Sequence, residues 1–265
     1  MISVEGHVIH YDARRYPDGS LSLKLPPLYD VLEPTVVWNY EGDSELFTLI
    51  CVRRHYENKE MILYMPYCPH ARMDRVKDKE DVFTLKYFCE IINSLNFKTV
   101  YIFDAHSNVA PALLDRVVNL SAEDDIRNAI FQVSKNEEDL LLFFPDEGAM
   151  KRYSSMFSLP YAFGIKKRDW ATGKIQGLDI MNGDLVKGKN VLIIDDICSK
   201  GGTFYRAAKA LKEAGANHIY LYVSHCEDTI FRGEIFNSQW IDKVFTTDSI
   251  FPPSMQTEKI TILKD

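Results

Sequence analysis

The stretch VLIIDDICSKGGTFYRAAKAL, residues 191–211, decides the fold. Its first four residues are all apolar, which is typical of a buried strand. In its second half, four apolar residues fall on one face of a helix: Phe204, Ala207, Ala208 and Leu211. The residues between these two halves therefore form a strand-to-helix turn. In open α/β sheets such turns lie at the carboxyl edge, where ligands bind.

The turn has the composition of a phosphate-binding loop. Gly201 and Gly202 let backbone N–H groups approach an anion at the helix N-terminus. The hydroxyl groups of Ser199 and Thr203, with the backbone amides from Lys200 onward, would complete the contacts to a terminal phosphate. The spacing also fits an ordinary helix start capped by serine or threonine, and this alternative stays open.

Two adjacent carboxylates precede the turn. Asp195 and Asp196 would repel a bound anion unless they accept hydrogen bonds from hydroxyl groups or bind a cation such as Mg²⁺. A sugar phosphate meets both demands, because its phosphate fits the loop while its ribose hydroxyls donate to the aspartates, directly or through a metal ion. The sequence therefore predicts a ribose-phosphate site at this sheet edge.

The pattern of apolar strand, acid and turn recurs along the chain. Three segments share it: VYIFDAH (100–106), LLLFFPDEG (140–148) and VLIIDDI (191–197). Helical spacing is present at 83–95 and 204–214, and further strands are predicted within 218–225 and 243–250. Alternating strands and helices indicate an α/β protein with mostly parallel sheets. We place a domain boundary in the acid-rich join 120–127, giving domains 1–125 and 126–265.

Composition excludes several classes of protein. The 265 residues carry a formal net charge of −7, which argues against a general nucleic-acid binder. No stretch has the length of a transmembrane helix and the first residues lack a signal-peptide pattern, so we expect a cytoplasmic protein without a membrane partner. The five cysteines are widely spaced with no C-x-x-C pair, which argues against structural zinc and a disulfide framework. Neither G-x-x-x-x-G-K-[ST] nor G-x-G-x-x-G occurs, so any nucleotide is held in another way.

Six segments together resemble the ribose-phosphate diphosphokinases, also called phosphoribosyl pyrophosphate synthetases. In chain order they are RYPDGSLSLKL (15–25), MPYCPHARMDR (65–75), FDAHSN (103–108), FPDEGAMKR (144–152), IKKRD (165–169) and the loop of 191–211. That loop is shared with the type I phosphoribosyltransferases, but the other segments resemble the diphosphokinases. The ordered set spans nearly the whole chain.

The resemblance implies two phosphoribosyltransferase-type, Rossmann-like domains. The first would bind ATP and the second ribose 5-phosphate or a derivative. The reaction would transfer the β,γ-diphosphoryl group of ATP to the anomeric hydroxyl of the sugar, release AMP and require Mg²⁺. By analogy with the family, we also expect a homo-oligomer, a dimer or larger.

Residues in the first domain are implied as ATP ligands. Arg72 and Asp74 belong to the PHARMDR segment, and the planar guanidinium of Arg72 suits two phosphate oxygens. His106 would face the triphosphate or its Mg²⁺ shell, although a lone histidine is more often a structural residue. Tyr16 would stack on adenine and Asp18 would accept from its amine, but a simple turn at residues 17–19 explains these residues nearly as well.

Catalytic and metal-binding residues are implied in the second domain. Lys166 and Arg168, in the polar segment KKRDWATGK (166–174), would close over the polyphosphate as a lid and neutralise developing charge. The alternative is a solvated basic turn. Asp146, like His106, would bind the metal ion, and it would also contact the sugar hydroxyls.

Three positions depart from the family pattern. Ser20 replaces a usual glutamate, Met73 a glutamine, and Ser199 a common acid. The lost acid and the added charge of Lys200 leave open a larger acceptor such as ADP-ribose. A catalytically silent regulatory homologue is a further alternative, although such a chain would have lost the basic segment or the paired aspartates.

Overall fold

The computed structural model describes residues 1–10, 15–134, 139–168 and 175–263. The chain divides into two compact units, Met1–Ser121 and Ala122–Asp265. The division falls inside the acid-rich join 120–127. None of the helices in the described ranges is both long enough and apolar enough to cross a lipid bilayer.

The first unit is built on one mixed sheet. Its described strands are β1 (Ile2–Val4), β2 (His7–Val8), β3 (Thr35–Trp38), β4 (Ile62–Met65), β5 (Thr99–Phe103) and β6 (Val117–Leu120). They lie in the order β2-β1-β3-β4-β5-β6, with β3 to β6 parallel and β1 antiparallel to both of its neighbours. The helices are α1 (Glu45–His55), α2 (Thr84–Ser94) and α3 (Val109–Leu113). The predicted helix at 83–95 corresponds to α2, which buries an apolar face against the core.

The second unit is built on a sheet of seven described strands. They are β7 (Leu140–Phe144), β8 (Tyr161–Arg168), β9 (Ile175–Met181), β10 (Asn190–Cys198), β11 (Ile219–Cys226), β12 (Lys243–Thr246) and β13 (Ile260–Ile262). Their order is β13-β12-β11-β10-β7-β8-β9, and every neighbouring pair is parallel except β8 and β9. The fold class predicted from the sequence, α/β with mostly parallel sheets, is confirmed.

Helices connect these strands. They are α4 (Glu123–Val133), α5 (Glu147–Tyr153), α6 (Gly202–Glu213) and α7 (Glu234–Asn237), with short 3₁₀ helices at Ser154–Met156, Gly183–Leu185, Asp228–Arg232 and Pro253–Met255. All five residues of β7 are buried, as expected for a parallel strand covered on both faces. In α6 the buried residues are the four apolar ones predicted from the sequence: Phe204, Ala207, Ala208 and Leu211.

Two predicted strand ends are wrong. The aspartates do not follow the strand of 191–194 but lie within β10, which continues to Cys198. The reason is its neighbour β11, which extends to Cys226 and pairs Val223 with Asp195 and His225 with Ile197. Likewise, the predicted polar loop begins later than expected, because its first three residues form the end of β8 and pair with β9.

Candidate active site

The N-terminus of α6 lies directly after the carboxyl end of β10. Gly201 precedes the helix with a φ of 73°, in the left-handed region that favours glycine. A Cβ atom at Gly201 would also lie 2.2 Å from Ile235 Cδ1. Because the N-cap residue is Gly201, the alternative of a serine or threonine cap is wrong. The first turn of α6 therefore presents its positive end without an N-cap side chain, as an anion site requires.

The rest of the predicted phosphate loop is grouped around this helix start. Ser199 and Lys200 connect β10 to Gly201, while Gly202 and Thr203 are the first two residues of α6. Lys200 is exposed, and Ser199 and Thr203 are half-buried. The predicted ribose-phosphate residues are thus brought together by one strand end and one helix start.

The two aspartates of β10 have different surroundings. Asp196 is only 3% exposed, and its Oδ1 lies 3.3 Å from Nη1 of Arg152 on α5. For Asp195, burial is the main cause that raises the pKa well above its ordinary value, and the negative charges of Asp196 and Asp146 raise it further. Three carboxylates therefore act on one another at the carboxyl ends of β7 and β10.

Asp146 has a structural contact that sequence reasoning did not predict. It is the N-cap of α5, and its Oδ1 accepts hydrogen bonds from the backbone N–H groups of Gly148 (3.0 Å) and Ala149 (3.1 Å). This cap fixes the FPDEGAMKR turn at the sheet edge. Sequence reasoning also missed the ion pair of Arg152 with Asp196, although Arg152 ends that motif. Its partner lies in a distant segment, so no local pattern reveals the pair.

Three of the candidate ATP residues, Arg72, Asp74 and His106, belong to two neighbouring loops of the first unit. Asp74 is 6% exposed and accepts hydrogen bonds from Arg75 Nε (2.9 Å) and from the hydroxyl of Ser107. Burial alone would raise the pKa of Asp74, but these hydrogen bonds and the charges of Arg75 and His106 hold it below its ordinary value. The PHARMDR and FDAHSN segments are therefore neighbours, with Arg72 exposed and His106 half-buried beside them.

The backbone at the end of β5 sets the position of His106. Asp104 has a φ of 41°, and its N–H donates to the carbonyl of Leu120 at 3.0 Å. The next residue, Ala105, donates its N–H to Oδ1 of Asn119 at 3.1 Å. A left-handed residue directly after a parallel strand turns the chain sharply at the carboxyl edge of the sheet.

Tyr16 and Asp18 lie in a tight turn. Asp18 Oδ1 accepts from the backbone N–H (2.9 Å) and the hydroxyl (2.7 Å) of Ser20, and Gly19 has a φ of 86°. The hydrogen bond from Ser20 is the main cause that lowers the pKa of Asp18. The turn expected as the simpler explanation is therefore present. Tyr16 is 59% exposed, and adenine binding by either residue stays a prediction.

The proposed catalytic residues occupy the β8–β9 hairpin. In the backbone register, Lys166 pairs with Leu178 and Arg168 with Ile175, with an irregularity between Lys167 and Arg168. The side chains of Lys166 and Arg168, and residues 169–174 of the predicted lid, lie outside what the structure describes. Their catalytic assignment stays a prediction.

Magnesium was expected from the family resemblance. In the described ranges, no group of three or more histidine, cysteine, aspartate or glutamate side chains is arranged to hold a metal ion. Magnesium in nucleotide enzymes is usually bound by one or two carboxylates together with substrate phosphates. The Asp195–Asp196 pair fits that requirement, because a bound cation would offset the repulsion between the two carboxylates.

Comparisons with known proteins agree with this geometry. Residues 117–248 match the phosphoribosyl transferase domain family. The chain is 29% identical to the ribose-phosphate pyrophosphokinase of Thermococcus kodakarensis over 259 residues, covering 93% of this chain and 88% of the relative. For the pyrophosphokinase of Pyrococcus furiosus the identity is 27%, with 100% of this chain and 93% of the relative covered.

A solved structure shows the same fold. The phosphoribosylpyrophosphate synthetase from Mycobacterium smegmatis superposes with a TM-score of 0.76 at 18% identity, covering 97% of this chain and 85% of that one. The fold agrees with the order of motifs and with alignments that extend along nearly the whole sequence. Along nearly its whole length the chain is thus similar to ribose-phosphate pyrophosphokinases, and residues 117–248 match the phosphoribosyl transferase domain family.

Proposed function

We propose that this protein is a ribose-phosphate pyrophosphokinase that transfers the β,γ-diphosphoryl group of ATP to the anomeric hydroxyl of ribose 5-phosphate. The products are phosphoribosyl pyrophosphate and AMP. The observation that carries this proposal is the uncapped N-terminus of α6 directly after two carboxylates on β10. An anion site beside paired hydroxyl acceptors suits a ribose phosphate better than a simple phosphate.

The second unit would hold the sugar. The 5-phosphate would accept hydrogen bonds from the backbone amides at Gly201 and Gly202 and from the hydroxyls of Ser199 and Thr203. Asp195 and Asp196 would accept from the ribose hydroxyls. This arrangement fixes the anomeric oxygen at one place, and positioning of this kind supplies much of the rate acceleration in phosphoryl transfer.

The first unit would hold ATP. Arg72 and His106 would bind phosphate oxygens, and Asp74 would keep its negative charge because its pKa is lowered. Tyr16 and Asp18 would contact adenine. Bound magnesium would supply charge neutralisation for the polyphosphate, with His106 as the predicted ligand in the first unit and Asp146, together with the paired aspartates, as predicted ligands in the second.

The β8–β9 hairpin would supply the catalytic cations. Transfer to phosphorus needs the developing negative charge to be neutralised and water to be excluded. Lys166 and Arg168 would neutralise the negative charge that develops on the transferred group as the hairpin closes.

Self-association is a further part of this proposal. It rests on analogy with the family alone. We expect a dimer or larger homo-oligomer, which light scattering of the purified protein measures directly.

A mass-resolved product assay tests the reaction. Purified protein is incubated with ATP and Mg²⁺, with ribose 5-phosphate in one tube and ADP-ribose in another, and AMP release is followed. We expect AMP and a sugar product heavier by one diphosphate group in the first tube. AMP only in the second tube would change the acceptor, and AMP in neither would favour a silent homologue.

A further inference from the structure

The backbone of the phosphate loop, residues 199–202, is packed against a second segment that the sequence motifs do not include. We call residues 227–237 the supporting segment; it comprises the 3₁₀ helix Asp228–Arg232, Gly233 and α7. It begins where the N–H of Glu227 donates to the carbonyl of Cys198 at 2.8 Å. The supporting segment is therefore bonded to the last residue of β10, directly before the phosphate loop.

Gly233 makes the closest approach to the loop. A Cβ atom at this position would lie 1.8 Å from the carbonyl oxygen of Lys200 and 2.7 Å from its carbonyl carbon. The φ of Gly233 is −101°, which any residue adopts, so space alone requires glycine here. Since a carbon and a carbonyl oxygen in contact are separated by about 3.3 Å, any larger residue forces the two backbones apart by more than about 1 Å.

In a second contact, the glycine belongs to the loop and the neighbouring side chain belongs to the supporting segment. A Cβ atom at Gly201 would lie 2.2 Å from Cδ1 of Ile235, which is fully buried. The loop and the supporting segment thus meet at two points, and neither point has room for a methyl group. The two contacts place the loop backbone directly against the supporting segment, and the one at Gly233 is backbone against backbone.

Lys259 holds the supporting segment from its other side. Its Nζ donates to the carbonyls of Ile235 (2.7 Å) and Ser238 (3.1 Å), and it lies 5.6 Å from the ring centre of Phe236. Two carbonyls at the end of α7 are therefore bound to a side chain that precedes β13.

We propose that Gly233, Ile235 and Lys259 are positioning residues for ribose-phosphate binding, which hold the backbone of residues 199–202 in its phosphate-binding conformation. None of the three needs to touch the substrate. The inference rests on the proposed function, because it concerns how the same phosphate loop is held. Displacement of the loop by about 1 Å is enough to lower kcat/KM on the order of a hundredfold.

The first test is Gly233→Ala in the full chain. We expect the KM for ribose 5-phosphate to rise at least tenfold while the KM for ATP stays within about twofold, because only the loop of the second unit is displaced. The matched control is Gly42→Ala, since a Cβ atom at Gly42 would meet no atom within 4 Å. Unchanged KM for ribose 5-phosphate in folded Gly233→Ala, or equal effects on both substrates, would overturn the proposal.

A second pair of variants decides the question if Gly233→Ala fails to fold. Lys259→Met removes both hydrogen bonds to α7 but keeps an apolar stem against Phe236, whereas Lys259→Arg retains a donor. We expect the KM for ribose 5-phosphate to rise several-fold in the methionine variant and to stay near the wild-type value in the arginine variant. Equal KM values in the two variants would contradict the positioning role of Lys259.

A binding measurement separates this inference from the proposed reaction. Inorganic phosphate is titrated into the full chain while the backbone amide resonances of Gly201 and Gly202 are followed by NMR. We expect these resonances to shift in the wild type and to shift less in Lys259→Met. An equal response in both proteins, or none in the wild type, would overturn the inference, while failure of the proposed function would show as absence of AMP from the wild-type assay.

Discussion

At the scale of single residues, Asp195 is the position where binding and stability conflict. Its pKa is raised in the folded chain by burial and by the neighbouring carboxylates. The native state therefore holds a proton more tightly than the unfolded chain, and stability is lost as the pH rises through the raised pKa. A carboxyl group that is retained although it lowers the stability of the folded chain is typical of a functional site.

Replacement of Asp195 by asparagine tests this conflict. We expect Asp195→Asn to raise the unfolding free energy by about 0.5–2 kcal/mol at neutral pH, in the range of other substitutions that relieve functional strain. Because the destabilising effect of the raised pKa develops only above the ordinary pKa of aspartate, the gain should shrink toward about pH 4, where an ordinary aspartate is half protonated. Thermal unfolding at the two pH values measures the difference.

The same variant should lose activity. We expect turnover to fall on the order of a hundredfold or more, because one of the two acceptors for the ribose hydroxyls or the metal is gone. Asp184→Asn, at an exposed site away from the loop, should change neither property. A variant that is less stable than the wild type at neutral pH would show that Asp195 supports the fold instead.

At the scale of elements, the β8–β9 hairpin carries the predicted catalytic cations. We expect Lys166→Ala to lower turnover by on the order of a hundredfold or more, because neutralisation of the transferred group is lost, while circular dichroism shows an unchanged fold. Lys209→Ala, on an exposed position of α6, is the control for removing one positive charge. Full turnover of Lys166→Ala would refute the catalytic assignment of this hairpin.

Much of the element structure could be predicted from the sequence. The periodicity of 204–211 identified the buried face of α6, and the apolar run of 140–144 identified β7, because these signals are local. The end of β10 could not be predicted, since it is set by the length of its neighbour β11. The length of β8 could not be predicted either, because pairing with β9 extends this strand into residues whose polar sequence is typical of a loop.

The site was predictable only in part. Glycines, hydroxyls and paired acids form a local pattern, so the sequence alone predicts a phosphate loop at residues 199–203, and the structure places these residues at the start of α6. The ion pair of Arg152 with Asp196 and the close fit of Gly233 against Lys200 join segments far apart in the chain. Contacts of this kind depend on tertiary packing, which no periodicity or motif records.

At the scale of the whole molecule, each unit is proposed to bind one substrate. We expect His106→Ala to raise the KM for ATP tenfold or more, as for loss of a hydrogen bond to a charged group, and to leave direct binding of ribose 5-phosphate unchanged. His7→Ala, exposed on β2, is the control. Steady-state kinetics and calorimetry give the two values, and weakened ribose 5-phosphate binding in His106→Ala would contradict the division.

The measurement that tests the central claim most directly is the identity of the nucleotide product. Wild-type protein is mixed with Mg²⁺, ribose 5-phosphate and ATP, and the phosphorus NMR spectrum is followed over time. We expect AMP together with a diphosphate ester of the sugar, in equal amounts and only when ribose 5-phosphate is present. Formation of ADP with a sugar bisphosphate, or no reaction at all, would contradict this expectation.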